Sequence, residues 1–354
     1  MVKRHPSNPL ITPAMVPASR EGYRVQGVFN PGAALFGEEI ILLLRVAENC
    51  LPKEGYVTVP YYSFSGGRPA PEILEFDLND PGVCLKDTRG VVSDGVDYLS
   101  TMSHIRIARS RDGIHFSVDE KPFLFPRNTS ESFGVEDARI TKFEDTYYIN
   151  YTTVSKDGFA TALVSTRNFA DLDYHGIIFP PQNKDVSIFP EKINGNFYAL
   201  HRPTNAGFGK PSIWCSDSPD LIHWGHHQCL ARPRNMTWEN QKIGGGAAPI
   251  KTPEGWLEIY HGKGENQYSL FLLLLDLHNP STVLARGKVP IMQPETDYEK
   301  SGFCPQVVFT NGIICRDNNL LTIYYGACDE TVCMAETTIS GLLDSLEKSG
   351  GDLK

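Results

Sequence analysis

The sequence predicts an all-β chain, a five-bladed β-propeller with a short C-terminal helix. Three observations predict it. Period-2 alternation of aromatic and β-branched residues dominates, with turn residues between the runs and almost no helical periodicity before the C-terminus. Five segments follow one plan: a polar turn, four or five apolar or aromatic residues, then a polar or aromatic cluster. These segments recur at a period of roughly 50–60 residues, the length that a four-stranded blade occupies.

In chain order the segments are EEIILLLRVAE (38–48), DTYYINYTTVS (145–155), GNFYALHRPT (195–204), EGWLEIYHGKG (254–264) and NNLLTIYYGACD (318–329). Aligned on Arg45, Tyr151, His201, Tyr260 and Tyr324, they lie 106, 50, 59 and 64 residues apart. The long first interval holds an insertion in the first blade at about residues 50–100, rich in Gly, Pro and Asp. A second echo, IRIARSRDGIHF (105–116), TALVSTRNFADL (161–172) and SIWCSDSPDLIHW (212–224), reads as a third strand running into a tight hairpin. TTISGLLDSLEKSG (337–350) carries Leu342, Leu343 and Leu346 on one side of a short helix. Residues 1–354 are therefore expected to form one propeller domain. A pair of β-sandwiches is the alternative, but it does not account for five equal units.

Composition is that of an ordinary globular protein, 41% hydrophobic and 21% charged over 354 residues. The net charge of -9 argues against a nucleic-acid or anionic-membrane partner. No apolar run reaches the ~18 residues of a membrane span. SLFLLLLDL (269–277), interrupted by Asp276, reads as a buried strand. MVKRHPSNPL has no apolar stretch behind its basic start, so no signal peptide is expected. Eight cysteines form no C-x-x-C pair, and reduced thiols in a cytoplasmic protein are expected.

Inner strands of a propeller converge on one channel, so residues distant in sequence share a pocket. The clusters that would converge hold Asn30 and Arg45; Glu136, Asp137 and Arg139; His201 and Arg202; His261 and Lys263; and Tyr325 and Asp329. Each has a plainer reading taken singly. Arg45 could pair with Glu48, His201 and Arg202 could enter a loop, and His261 could be a core histidine. Their repeated placement after each apolar run favours function. GGGAAP (244–249) lacks the lysine and following helix of a phosphate-binding P-loop and reads as a loop near the pocket. No H-x-x-x-H pair or EF-hand loop calls for a metal.

GVEDARIT (134–141), with NPGAALF (30–36), NKDVSIFPEKINGNFYALHRP (183–203), GWLEIYHGK (255–263) and YYGACD (324–329), resembles glycoside hydrolase family 130 across roughly residues 8–340. The resemblance implies a five-bladed propeller and an inverting phosphorylase acting on β-mannosides, a minority of members being hydrolases. It implies Asp137 as the catalytic acid. Ala138, where many members carry Pro, resembles the branch acting on β-1,2-linked mannosides. The family's phosphate-binding Arg-Asn pair, Lys and His match Arg167, Asn168, Lys184 and His261. Hydrolytic members lose these cations and gain glutamates. Asp329 matches an Asp that holds the transferred mannose, and Asn30, Arg45 and Arg106 are further candidates. Glu136, Arg139, His201, Arg202 and Tyr325 complete the expected substrate-binding set, with Trp238 as another aromatic for a sugar face.

The chemistry follows from the nucleophile. An inverting hydrolase needs an acid and a base about 6.5–9.5 Å apart, whereas phosphate arrives already anionic and calls for cations in place of the base. Strand alternation predicts Glu136 and Asp137 on opposite faces, with Arg139 back beside Asp137. Burial, or the bound sugar itself, is expected to raise the Asp137 pKa, and whether its proton passes directly or through a mannose hydroxyl stays open. A β-mannosidase, a β-1,4-mannoside phosphorylase, a non-catalytic sugar-binding propeller and a three-carboxylate glycosidase are the alternatives. The implied partners are a β-mannoside oligosaccharide and inorganic phosphate, with no cofactor and a possible homo-oligomer. Linkage and chain length would be set by rim loops near residues 50–100 and 231–243.

Overall fold

Each of the five apolar segments becomes the second strand of its own antiparallel group of strands, called a sheet below, and three of these groups are joined edge to edge in one 12-stranded sheet. The computed structural model describes residues 2–349 except 65–68, 88–89, 205–206, 236 and 317–318, and it is mostly β. The first sheet pairs Tyr23–Phe36, Glu39–Cys50 and Met102–Ser110, with Ser117–Val118 at its edge. The second runs Gly134–Phe143, Thr146–Ser155, Gly158–Thr166 and Asp173–Phe179. The third runs Asn183–Ile188, Phe197–Pro203, Ile213–Ser218 and Gly225–Ala231. In the fourth, Lys242–Gly244 and Ile250–Thr252 flank Gly255–Lys263, followed by Tyr268–Leu275 and Val283–Arg286. The fifth runs Val308–Arg316, Leu320–Ala327 and Thr331–Thr338, and its outer edge is completed by Lys3–Arg4 from the other end of the chain. Single parallel contacts, Gly32 with Asn311 and Gly134 with Ser103, join the fifth, first and second groups side by side.

The second strands are apolar on both faces because both faces are covered. Ile41 and Leu43 pack toward Val135, Ile149 and Tyr151 of the second sheet. Leu42, Leu44 and Val46, one residue out of phase, pack toward Ile314, Tyr324 and Met334 of the fifth. Leu163 and Ile178 of the second sheet meet Val186 and Ala199 of the third. Leu200 and Cys215 of the third meet Trp256 and Phe271 of the fourth. Leu257 and Leu272 of the fourth meet Leu321 and Ile323 of the fifth. Each such side chain contributes about 1.5–3 kcal/mol by leaving water.

Helix Ile339–Ser349 lays Leu342 and Leu346 into the core between the fourth and fifth sheets, with Leu343 partly buried beside them. It starts two residues later than its sequence pattern because Thr337 and Thr338 still belong to the preceding strand. A four-residue helix, Asp297–Lys300, was not foreshadowed by periodicity; it is short, and buried Glu299 accepts from Thr296 N at 3.1 Å to cap its start.

Between Cys50 and Met102 the chain forms a hairpin, Tyr56–Ser63 with Ala70–Asp77, and a three-stranded sheet, Val83–Asp87, Gly90–Ser93 and Val96–Leu99. Tyr98 anchors this segment, its ring 4.7 Å from Phe76 and 5.7 Å from Phe133. None of the eight cysteines is in a disulfide.

Candidate active site

The first strand of three sheets breaks its pleat at one polar residue. Asn30, Asp137 and Asp185 have φ of 46°, 52° and 56°. Pairing with the second strand slips at each, between Phe29 and Gly32, Glu136 and Arg139, and Lys184 and Ser187. These are β-bulges, and Asn and Asp are the non-glycine residues that best tolerate a left-handed backbone. Bulges re-aim side chains. Glu136 and Asp137 therefore both line one cavity of about 360 Å³, instead of facing opposite ways as simple alternation predicts.

One wall of the cavity is acidic. Asp137, buried, accepts from Asn30 Nδ2 at 3.0 Å and Arg45 Nη1 at 3.2 Å. Arg45 Nη2 donates to Glu136 Oε1 at 2.8 Å, and its guanidinium lies 4.7 Å over the Phe29 ring. Burial pushes the Asp137 pKa up, but Arg45, Lys184, Arg139 and the Asn30 amide outweigh it, so the group stays below the usual carboxylate range. The upward shift expected from burial does not occur. Burial likewise works against the Arg45 cation and is outweighed by Glu136, Asp137 and Asp329, which raise its pKa. Asp329 lines the same cavity from the end of the fifth sheet's second strand.

A cationic wall of the same cavity carries Lys184, Arg202, Lys242 and His261. Asp185 sits at its centre, with Arg202 Nε at 3.0 Å, His261 Nε2 at 3.2 Å and Arg139 Nη2 at 3.4 Å. The Arg202 N–H is aimed aside, so that contact is ionic rather than a hydrogen bond. Burial alone would raise the Asp185 pKa; Arg202, His261 and Arg139 instead hold it well below the carboxylate range. Burial lowers His261 to about 4 despite Asp185, leaving a neutral ring whose Nδ1 is buried without a hydrogen-bond partner. Burial, then the neighbouring charges of Arg202 and Lys184, lowers Lys242 to about 7. The Lys242 ammonium lies 5.3 Å over the Tyr268 ring, and Lys184 lies 5.2 Å over Phe159 and 3.8 Å from Glu136. One carboxylate serves several cations here, so the wall has a surplus of positive charge and of N–H donors, suited to an oxyanion.

The glycines of GGGAAP are required by close approach rather than by a turn. A Cβ on Gly244 would lie 2.4 Å from Asp185 Oδ2 and 2.6 Å from the His261 ring, and one on Gly246 would lie 2.2 Å from Ile259 O. The insertion between the first sheet's second and third strands brings Asp97, Tyr98 and Leu99 to the cavity rim.

Several expected site residues lie elsewhere. Arg167 and Asn168 are exposed in the hairpin after strand Gly158–Thr166, whose opposite end delivers Phe159 to the cavity. At about 3.3 Å per residue the strand separates them from the site by roughly 25 Å. Asn168 Oδ1 accepts from the backbone of Ala170 and Asp171 at 3.0 and 2.9 Å, and Arg167 Nε approaches Thr146 Oγ1 at 3.4 Å. Their turn chemistry decides their position, and their expected role is withdrawn. Arg167→Ala is predicted to leave the KM for phosphate within twofold of the parent, as measured by initial rates.

Arg106 is fully buried, donating through Nε to His104 at 3.0 Å. His201 stacks on Phe179 with centroids 4.7 Å apart and bonds Asn183 and His227 at 2.9 and 3.1 Å. Tyr325 donates to Glu299 at 2.8 Å within the core between the fourth and fifth sheets, and Trp238 packs between the third and fourth. None of these four lines the cavity. Arg139 lies just behind its wall and does not return to the face of Asp137, because the bulge shifts the phase. Conversely, Lys242, Asp185 and Tyr268 were not anticipated. The only sequence signal was Lys242 two residues before three glycines. Among the described residues no group of three His, Cys, Asp or Glu side chains is arranged to hold a metal ion.

Comparisons with known proteins agree with this chemistry. A family model described as β-1,4-mannooligosaccharide phosphorylase matches residues 80–348. A β-1,2-mannobiose phosphorylase of Listeria innocua is 46% identical over 352 residues, covering 98% of each chain. A 1,2-β-oligomannan phosphorylase of Thermoanaerobacter is 39% identical, covering 67% of this chain and 79% of its own. The solved structure of the Listeria enzyme in complex with β-1,2-mannobiose superposes with a TM-score of 0.95, covering 98% of this chain and 99% of that one.

Proposed function

The chain belongs to glycoside hydrolase family 130, and we propose that it cleaves β-1,2-linked mannobiose or mannooligosaccharides by inverting phosphorolysis. It is a β-mannoside phosphorylase, with a β-mannoside and inorganic phosphate as its substrates. The β-1,2 linkage follows the full-length likeness to the Listeria enzyme, against 31% identity to a β-1,4-mannooligosaccharide phosphorylase of Ruminococcus albus.

The observation that carries the reading is the cationic wall that shares one cavity with Asp137. Phosphate would sit against Lys184, Arg202, Lys242 and His261, with the mannosyl unit between it and Asp137, in contact with Asn30, Arg45, Glu136 and Asp329. A phosphate oxygen attacks the anomeric carbon and forms the new C–O bond as the glycosidic C–O bond breaks. The proton from Asp137 ends on the departing sugar's hydroxyl, directly or through a mannose hydroxyl. The products are α-mannose 1-phosphate and a shortened sugar. Both contacts to Asp137 fall on Oδ1, which leaves Oδ2 to carry the proton. Phosphate binding adds negative charge beside Lys184 and so weakens what depresses the acid's pKa.

Water as the nucleophile would require a base. Asp185 is in the right wall, but the Arg202 and Arg139 cations, with the His261 ring beside it, make it too weak a base to take a proton from water near neutrality. Glu136 lies on the acid's own strand and is held by Arg45. The test is cleavage of β-1,2-mannobiose, and of β-1,4-mannobiose in parallel, with and without millimolar phosphate. Mannose 1-phosphate is expected only with phosphate and mainly from the β-1,2 substrate; free mannose at equal rates in both buffers overturns the reading.

The finer architecture belongs to the same proposal. The five shared cores run first to second, second to third, and onward to fifth and first, as in a ring of five propeller blades forming one domain over residues 1–354. An intracellular glycosyl-transferring enzyme with no cofactor, working in the cytoplasm, fits the thiols left unpaired. No helix among the described residues is long and apolar enough to cross a membrane. A homo-oligomer would cover apolar side chains such as Ile73 and Leu85, which are 48% and 60% exposed.

A further inference from the structure

One buried carboxyl has no place in the chemistry above. Glu258, on strand Gly255–Lys263, is 0% exposed. Its Oε1 accepts from Gly246 N at 2.8 Å, and its Oε2 has no hydrogen-bond partner. From Gly246 a continuous set of contacts leads to the anion-binding wall. Gly246 O accepts from Arg139 Nε at 2.7 Å and from Ser187 Oγ at 2.8 Å. Gly245 O accepts from Arg139 Nη2 at 3.0 Å. The same Arg139 Nη2 reaches Asp185, which in turn holds His261 and Arg202.

We infer that Glu258 is a positioning residue for phosphate: by fixing the Gly246 amide it sets the two carbonyls that aim Arg139 at Asp185, and through Asp185 it fixes His261 and Arg202. The inference rests on the phosphate reading of that wall. The glycines make the device sensitive, since Gly245 and Gly246 have no side chains of their own to anchor them and pack directly against Glu258, Ser187 and Ile259. Strands flank the loop on both sides, so the Gly246 amide bond is the local element that a single side chain holds in orientation.

Burial raises the Glu258 pKa to about 8, against the smaller opposing effects of the Gly246 amide and Arg139, which keeps it a neutral acid near pH 7. A neutral group is what the relay needs. An anion there would compete with Asp185 for the Arg139 guanidinium. Glutamine reproduces the neutral shape and the accepting oxygen; leucine removes the acceptor; aspartate withdraws it by one methylene.

The experiment compares the intact protein with Glu258→Gln, Glu258→Leu and Glu258→Asp, measuring the KM for phosphate, the KM for β-1,2-mannobiose, kcat and Tm. Glu258→Leu is expected to raise the phosphate KM about 5–100-fold, the range for stranding one buried donor, with the mannobiose KM within twofold. Glu258→Gln is expected to restore the phosphate KM to within threefold of the parent. If Glu258→Leu does not fold, Glu258→Asp carries the test, with a rise in the same constant. A phosphate KM unchanged in Glu258→Leu or Glu258→Asp overturns the inference, as does an equal rise in both Michaelis constants. A parent protein whose turnover does not depend on phosphate fails the phosphorylase reading itself, which is a separate result.

Discussion

Asp137→Asn is expected to lower kcat for phosphorolysis of β-1,2-mannobiose by roughly 10²–10⁴-fold, the contribution of a positioned general acid. Asparagine is the informative substitution because position 137 has φ of 52°. Asn accepts that backbone, whereas alanine or a β-branched residue would strain the bulge and confuse loss of a proton donor with loss of shape. The amide oxygen still accepts from Asn30 Nδ2 and Arg45, so the wall keeps its geometry. The KM for phosphate is therefore expected to stay within a few-fold. The leaving group supplies an internal control. An aryl β-mannoside, whose phenolate departs without a proton, should lose far less rate than mannobiose. A variant within tenfold of the parent on mannobiose would remove Asp137 from the acid's role.

The parts of this molecule legible in the sequence are those that depend on local pattern. Ile40 through Leu44 read as a strand because both of its faces are apolar, and the same holds for Leu270 through Leu275. The recurrence of five such runs placed one as the second strand of each antiparallel group. GVEDARIT marked the acidic wall because Glu136 and Asp137 are adjacent and share Arg45. What misled was phase. A strand with period 2 cannot place Glu136 and Asp137 together, and the bulge that does so is visible only as a polar residue among apolar ones. Asn30 carries the same mark between Phe29 and Pro31, but Asp185 follows Asn183 and Lys184 and does not stand out as a lone polar residue.

The cationic wall was the harder half. Arg167 and Asn168 matched an expected pair by residue type, but Ser-Thr-Arg-Asn is also good turn chemistry, and the turn determined their place. Arg202, expected among the sugar contacts, instead faces Asp185 beside His261. Lys242 lay outside every repeat, on a strand of three residues with no apolar run to announce it. Its charged neighbours come from two strands of the third sheet, Lys184 from one and Arg202 from the next, while Lys242 itself belongs to the fourth. No spacing rule links such residues; only their convergence at one end of neighbouring sheets does.

Lys242→Met tests that convergence. Removing one charged donor from an oxyanion costs about 1.5–3 kcal/mol, so the phosphate KM is expected to rise roughly 10–150-fold. The mannobiose KM should change little, since Lys242 stands on the wall away from Asn30, Arg45 and Asp137. The pH dependence has a definite sign. Burial and the charges of Arg202 and Lys184 hold Lys242 near 7 in the free protein, below the ordinary 10.5. Above about pH 7 the free site is largely neutral at Lys242, so phosphate must bring a proton with it and the parent's affinity falls with rising pH. Lys242→Met lacks that limb. Comparing the two proteins at each pH cancels the ionisation of phosphate itself.

Stability should move the other way. Between about pH 7 and 10.5 the unfolded chain holds the lysine proton and the folded chain does not, so this group's contribution to stability increases with pH across that window. Its cost is fully present below pH 7, where both states are protonated. Methionine removes the cost. The variant is therefore expected to have a higher Tm than the parent at pH 6 and to lose that advantage by pH 10, while binding phosphate worse below and near pH 7. Such an exchange of stability for binding is what a crowded cationic site requires, because the repulsion among Lys184, Arg202 and Lys242 is relieved only when an anion arrives. If the variant keeps the parent's phosphate KM at pH 6, Lys242 does not touch the anion, and the wall's surplus charge has some other purpose.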